Sequence, residues 1–346
     1  MTLDAVVGVS SRAVKAVLHV PEGTTLALLG PNGAGKTTVI EALAGLTEPD
    51  SGHATLGDAV LFSDRGGRMR LTESRSRGIA LVTQDAALFP HVSVLDNVAF
   101  PSRSRGNSRA DSRADAHEWL ERVGAGHLAA RRPRTLSGGE ARRVAVARAL
   151  ASDPRLMLLD EPFASLDIES AVAMRSLLRE VLKGRTAVLS THDGLDAIDL
   201  AHTIAVLDHG IVVEGGATSA TFEHPRTAFT AALAGLVWLS GTWVEGALTL
   251  ADGQLVPAIG EGLTLGAAVA VTINPRAVKI VPPTTPGGVR DNVLALEPRG
   301  DGIVRVRCSA LWADVSIAEA SHFLPRVGEP AHFDVAARPH AFSLDS

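Results

Sequence analysis

The run Gly30-Pro-Asn-Gly-Ala-Gly-Lys-Thr37 constrains this chain more than any other feature, because it joins the apolar residues 24–29, TTLALL, to the helical pattern VIEALAGL. An apolar run of strand length that ends on glycines and resumes with helical periodicity reads as strand, loop, helix. In that setting the spacing G-x-x-x-x-G-K-[ST] is a phosphate-binding loop. Gly30, Gly33 and Gly35 let backbone N–H groups turn inward around an anion, and the next helix adds the partial positive charge of its N-terminus. Polyphosphate is the natural occupant, with Pro31, Asn32, Ala34 and Thr38 completing the binding stretch. Lys36 is expected to reach the terminal phosphates as a point charge, and the Thr37 hydroxyl to ligate the Mg²⁺ that bridges them.

The same rhythm returns at IALVTQ, RLMLLDEP and TAVLSTHD, where apolar runs stop at polar residues and precede helical stretches. Such alternation predicts an α/β fold with a mainly parallel sheet. Between Gln84 and Asp153 strand patterns vanish and DAHEWLERV and EARRVAVARALA read as helices, so a helical subdomain is expected at about 85–155. Within it, PSRSRGNSRADSR reads as a polar, Arg-rich loop, either a solvated linker or a contact for acidic headgroups. After about Ala234 short alternating runs such as GTWVEGALTL and GIVRVRCSA predict a small β-rich domain. The expected boundaries are 1–232 and 235–346.

RLMLLDE places Asp160 and Glu161 where a buried strand opens into the site. Asp160 suits a metal held through its hydration shell, and Glu161 suits a general base that polarises water. Two acids capping the next helix is the structural alternative. A formal net charge of −5 argues against nucleic-acid binding. Cys308, the single cysteine, can form neither an internal disulfide nor a thiolate metal site, which favours a reducing compartment. The N-terminus lacks the pattern of a secretory signal. Residues 227–244 carry no charge and reach the lower length limit of a membrane span, but the Leu-Ser-Gly-Thr break reads as a junction between elements.

Leu136-Ser-Gly-Gly-Glu140, some twenty residues before Asp160, resembles the signature of ATP-binding cassette (ABC) ATPases. The other landmarks follow in order: Gln84 resembles the Q-loop, Ser165-Leu166-Asp167 the D-loop, and His192 the switch histidine, so the resemblance covers about residues 1–230. It implies a homodimer of cassettes packed head to tail, each ATP lying between one phosphate loop and Ser137, Gly138, Gly139 and Glu140 of the other copy. It also implies that Gln84 senses metal or water, that Thr37, Gln84 and Asp160 surround Mg²⁺, and that His192 contacts the γ-phosphate and orients water toward Glu161. One departure concerns adenine. The family stacks it on an aromatic upstream of the phosphate loop, yet the chain has no Tyr and its first aromatic is Phe62, which leaves Arg12 or Val9 to cover the base.

The C-terminal extension resembles that of bacterial importer ATPases for sugars, oxyanions, iron and polyamines. VRDNVLALE followed by ALWADVSIAEA looks like the small OB-like, molybdate-type oligomer-binding (TOBE-like) domain of molybdate importer ATPases. The resemblance ranks molybdate or tungstate first, sulfate or thiosulfate second and iron(III) third, with sugars as a further alternative. The Ser-Ala-Arg-Asn-like anion run of such domains is replaced by Val289-Arg-Asp-Asn292, and the later Lys falls at Ala336-Ala-Arg338, so a dimerising domain is expected ahead of a regulatory one. Implied partners are two transmembrane permease subunits docking on the Q-loop and helical region, and an extracytoplasmic substrate-binding protein, at the cytoplasmic face of the membrane. A non-transport cassette ATPase of DNA repair or translation is the rival class, but neither a long coiled-coil insertion nor a second cassette is present.

Overall fold

Alternation governs the first strands. Val14, Ala16, Leu18 and Val20 are buried while Lys15, Val17 and His19 between them are exposed, the period of a strand with one face on a core. β1 (Leu3–Val9) and β2 (Val14–Val20) pair antiparallel, Leu3 against Val20. β3 (Thr25–Leu29) is buried at every position, as a strand covered on both faces must be. The computed structural model describes residues 1–346 apart from 65, 283, 284, 286, 287, 301, 336, 337, 345 and 346, and apart from the side chains of 322 and 323.

The phosphate-loop residues lead into α1 (Lys36–Ala44), followed by β4 (Ser51–Leu56), β5 (Ala59–Asp64), β6 (Met69–Leu71) and β7 (Ile79–Val82). Among the described residues the next strand is β8 (Leu156–Asp160); the interval holds α2 (Val94–Ser104), α3 (Arg109–Arg122) and α4 (Gly138–Leu150). Then come α5 (Ile168–Val181), β9 (Ala187–Ser190), α6 (Gly194–Leu200), β10 (Thr203–Asp208) and β11 (Ile211–Ala217). The eleven strands form one sheet in the order β6-β5-β4-β1-β2-β11-β10-β3-β9-β8-β7.

That sheet is mixed, not mainly parallel as the alternation suggested. β10, β3, β9, β8 and β7 pair in parallel, whereas β6, β5, β4, β1 and β2 are antiparallel. The connections β1 to β2 and β4 to β5 are too short for a crossover, which forces antiparallel pairing. The parallel half sets up the site. Leu28 lies in register with Ser190, and Ser190 with Asp160, so the ends of β3, β9 and β8 open at one edge, the usual place for ligands in such sheets.

The Arg-rich segment is not a loop. Pro101–Ser104 close α2, and α3 begins at Arg109, where the Ser108 hydroxyl accepts the Asp111 N–H at 3.1 Å. Arg105 donates to the carbonyls of Ala151 and Ser152, and Arg113 pairs with Asp96 at 3.5 Å. Two of its arginines therefore serve the helical packing, which weakens the headgroup reading.

The contacts divide the chain into two units, Met1–Ser219 and Ala220–Ser346, with α7 (Thr218–Glu223) at the boundary. The second holds α8 (Ala228–Leu233), β12 (Val237–Val244), β13 (Ala247–Thr249), β14 (Leu255–Pro257), β15 (Ala268–Ile273), β16 (Val278–Val281), β17 (Val289–Arg299), β18 (Ile303–Cys308), β19 (Trp312–Ser316), α9 (Ile317–Phe323), β20 (Pro330–Val335) and β21 (Ala341–Ser343). Its strands form two five-stranded sheets, β14-β13-β12-β15-β21 and β16-β20-β17-β18-β19, around Val237, Leu239, Trp243 and Phe333. The uncharged stretch 227–244 is the cap of α8, α8 itself and β12. No helix among the described residues is long and apolar enough to cross a membrane.

Candidate nucleotide and active site

Three glycines shape the loop after β3 for different reasons. Gly30 has φ +147°, and a Cβ there would lie 2.2 Å from the Leu207 carbonyl oxygen; Gly35 caps α1 at φ +103°, and its Cβ would press on Val14 at 2.7 Å. Gly33 has φ +82° with open space around it, so backbone freedom alone demands glycine there. Pro31, Asn32 and Gly33 form an exposed rim, and Ala34 is buried. Lys36 is only 5% exposed, its Nζ donating to the carbonyls of Gly30 at 2.7 Å and Pro31 at 3.1 Å. Burial lowers its pKa, and Glu161 and Asp160 pull it back up. Thr37 is exposed at the first turn of α1, whereas Thr38 is buried and accepts a bond from Arg12 at 3.2 Å. The Arg12 guanidinium also reaches Glu41 at 2.8 Å, which fixes it against α1 beside the loop.

The acids sit where β8 ends. Asp160 is buried and its Oδ1 accepts from the Ser190 hydroxyl at 2.6 Å; that hydroxyl in turn accepts the Glu161 N–H at 2.9 Å. Glu161 has φ +46°, a left-handed conformation that costs a side-chain-bearing residue about 1–2 kcal/mol. Its carboxylate faces the loop: Oε1 lies 3.9 Å from Lys36 Nζ and 3.8 Å from His192 Nδ1. A carboxylate between an ammonium and an imidazole can accept a proton from water held at the same point. The capping alternative for these acids fails, since Asp167 caps α5, accepting the Ser170 N–H and hydroxyl at 2.8 Å each. Those bonds lower the Asp167 pKa.

His192 is exposed, on a loop pinned from beneath. Thr191 donates to Asp196 at 2.8 Å, and Arg175 closes an ion pair with Asp196 at 2.7 Å. Burial raises the Asp196 pKa against the pull of Arg175 and Thr191. Gln84, just after β7, exposes its side chain, while its carbonyl accepts from Arg142. Ser137 caps α4 and forms a capping box with Glu140, whose Oε2 accepts the Ser137 N–H at 2.8 Å. That bond lowers the Glu140 pKa. Ser137 and Gly138 are exposed and Gly139 is buried.

The fold thus gathers residues 30–38, Asp160, Glu161 and His192 into one site. Among the described residues, no hydrogen bond or ion pair links Ser137–Glu140 or Asp167 to the phosphate loop. Sequence reasoning missed Ser190, which carries the Asp160 and Glu161 backbone geometry, and Arg142. The serine stood in plain view in TAVLSTHD, as the first polar residue after the apolar run.

Comparison with known proteins places this geometry in context. A family described as "ABC transporter" matches residues 15–164. The chain is 41% identical over 293 residues to a protein of Mycobacterium tuberculosis named "Molybdenum import ATP-binding protein ModC", covering 82% of this chain and 79% of that one. It is 37% identical over 311 residues to a Burkholderia mallei protein named for sulfate/thiosulfate import, covering 87% and 85%. Among solved structures it resembles a dimeric ATP-binding cassette in a post-hydrolysis state bound to ADP and Pi, with 27% identity, a TM-score of 0.53 and coverage of 62% of this chain and 98% of that one.

Proposed function

The chain belongs to the ABC transporter family as an import ATPase, and from that premise we propose that it powers molybdate or tungstate import, with Glu161 as the general base of hydrolysis. The observation that carries the mechanism is the Glu161 carboxylate held between Lys36 and His192. Phosphates entering the loop offer Lys36 charged partners in place of the neutral carbonyls of Gly30 and Pro31, and charge-assisted bonds are the stronger ones. Glu161 then takes the proton of the attacking water, while His192 fixes the geometry of water and γ-phosphate. Thr37 and Asp160 are hard oxygen donors on either side of the loop and fit Mg²⁺, with Gln84 as a further ligand from the segment after β7. When bound, that ion neutralises charge shared by the terminal phosphates.

The remaining motifs act between molecules. The exposed Ser137 and Gly138 at the start of α4 offer N–H groups and a hydroxyl to the γ-phosphate held by a second copy, so ATP joins two cassettes. Phe89, His91, Val92 and a half-exposed Phe100 line a groove next to the Gln84 segment, suited to an apolar permease element. Two permease subunits and an extracytoplasmic binding protein complete the transporter, with this subunit at the cytoplasmic membrane face.

Molybdate leads because the relative named for molybdenum import is the more identical, 41% against 37% for the one named for sulfate/thiosulfate import, while both match through much of the second unit. Relatives named for sulfate/thiosulfate, Fe(3+) and trehalose/maltose import supply the alternatives. In the tail, Asp291 accepts from Ser309, from Ala310 N–H at 2.8 Å and from Leu311 N–H at 3.4 Å. A carboxylate committed to a turn favours a dimerising role over anion binding there; Ala336 and Ala337 of the second anion-site run lie outside the described residues. Uptake in a strain deleted for this gene tests the assignment. Loss of high-affinity uptake of labelled molybdate is expected, and normal molybdate uptake with loss of sulfate, iron or sugar uptake overturns it in favour of that substrate.

A further inference from the structure

α4 carries a buried arginine that the phosphate chemistry does not use. Arg142 is 7% exposed, and its Nη1 reaches the carbonyls of Glu161 at 3.2 Å, Pro162 at 2.7 Å and Ala164 at 3.1 Å, while Nη2 donates to the carbonyl of Gln84. Its Nε is buried with no hydrogen-bond partner among the described residues. Asp85 is the acid whose charge acts on it, yet none of its hydrogen bonds goes to a carboxylate. A guanidinium so placed is a bridge, not half of an ion pair. Because the fork is planar and rigid, its two Nη groups cannot follow their acceptors independently.

Two further features make the bridge mechanical. Glu161, at φ +46°, is pinned on both sides of its backbone, its N–H by Ser190 and its carbonyl by Arg142. Further along α4, Arg148 donates to the carbonyls of Ala87 at 3.0 Å and Ala86 at 3.4 Å and lies 5.4 Å from the centre of the Phe89 ring. Ala87 also has positive φ, +44°. One helix therefore grips the segment after Gln84 and the turn after Glu161.

We propose that Arg142 is a positioning residue that fixes the Glu161 turn and the Gln84 segment relative to each other, so that a shift at the carboxylate is passed to the segment leading to Phe89. The proposal rests on Glu161 acting as the base. Arg142→Met keeps most of the side-chain length and removes every donor. In the full-length protein it is expected to lower kcat on the order of 10- to 100-fold, the scale of a small misplacement of a reacting group, with KM for ATP within about twofold because Lys36 and its loop are untouched. Backbone hydrogen exchange in residues 84–89 and 161–165 is expected to accelerate in both segments together. Arg142→Lys, with one ammonium that cannot span both sets of carbonyls, is expected to restore slow exchange in one segment and not the other. It also serves as the test if the Met variant does not fold. Wild-type kcat in either variant, accelerated exchange in only one segment of the Met variant, or slow exchange in both segments of the Lys variant overturns the proposal. Glu161→Gln is measured alongside: if it retains turnover the base assignment fails, while the exchange pattern still decides whether Arg142 couples the two segments.

Discussion

The two units store their costs differently. All six described non-glycine residues with positive φ, Ala13, Ala87, Asp153, Glu161, Ser165 and His209, lie in Met1–Ser219. So do the buried charged residues Lys36, Arg77, Arg142, Asp160, Asp196 and Glu214, whereas the buried polar residues described in the second unit are Thr221 and Thr230. Strained backbone and desolvated charge persist only where surrounding structure over-determines them, and they collect where chemistry is done. The second unit follows the ordinary rules of a β structure: alternating burial, an apolar interior and ion pairs on its faces. Strain and desolvated charge are thus concentrated in the first unit, which holds the candidate site, and the second is built for packing.

The largest expected effect tests the first half of that contrast. Glu161→Gln removes the proposed base and preserves shape, so ATP turnover should fall by roughly 10²- to 10⁴-fold, about 3–5 kcal/mol of barrier, while nucleotide still binds. Near-normal turnover would move the chemistry elsewhere. Next in size is a change in the second unit. Phe333 is fully buried, and Phe333→Ala should destabilise that unit by about 3–5 kcal/mol; unfolding followed by segment-resolved hydrogen exchange should show the loss there, with ATPase activity within about twofold of wild type. Activity that collapses with the tail would break the division of labour.

A smaller effect is expected at Arg12, whose guanidinium is oriented by Thr38 and Glu41. If it substitutes for the missing aromatic, Arg12→Ala should weaken ATP by about 1–3 kcal/mol and reduce preference for ATP over GTP in paired titrations. A strong preference that survives the change means adenine is read by other groups.

The smallest effect separates the units by pH. Arg305 bonds to Asp314 at 2.7 and 2.8 Å and holds its pKa below the ordinary 3.8. The folded state therefore binds the proton less well than the unfolded chain, and the pair's contribution is present above that value and lost as pH falls through the depressed pKa. Asp196, in the first unit, is shifted upward chiefly by burial. Its sign is opposite: the contribution is fullest below the ordinary value and is lost as pH rises through the raised one. Unfolding of Asp314→Asn and Asp196→Asn between acid and neutral pH should therefore diverge from wild type in opposite directions, and parallel curves would contradict the assigned causes.

Legibility varied between elements for identifiable reasons. The strand before Gly30 and the strand ending at Asp160 were visible because strands covered on both faces form unbroken apolar runs. The antiparallel half was not anticipated, since pairing direction depends on connection length and on which half-apolar strands share a core. The Arg-rich segment misled because its composition is that of a linker, yet Ser108 starts a helix there and Arg105 finds the carbonyls at the end of α4. Tertiary acceptors outweighed local polarity.

The sequence by itself determined the phosphate-loop motif and the order of the motifs, and the family resemblance they carry supplied the proposed acid, imidazole and amide, because those roles need particular side chains at particular spacings. Only the tertiary structure decided that Lys36, Glu161 and His192 meet at one carboxylate oxygen, that Ser190 ties Asp160 to the Glu161 backbone, and that Arg142 spans Gln84 and Glu161. The physical reason lies in the acceptors. Much of this scaffold is built from bonds to backbone groups, and since nearly every residue carries the same N–H and C=O, such a partner leaves no mark in the sequence until the chain has folded.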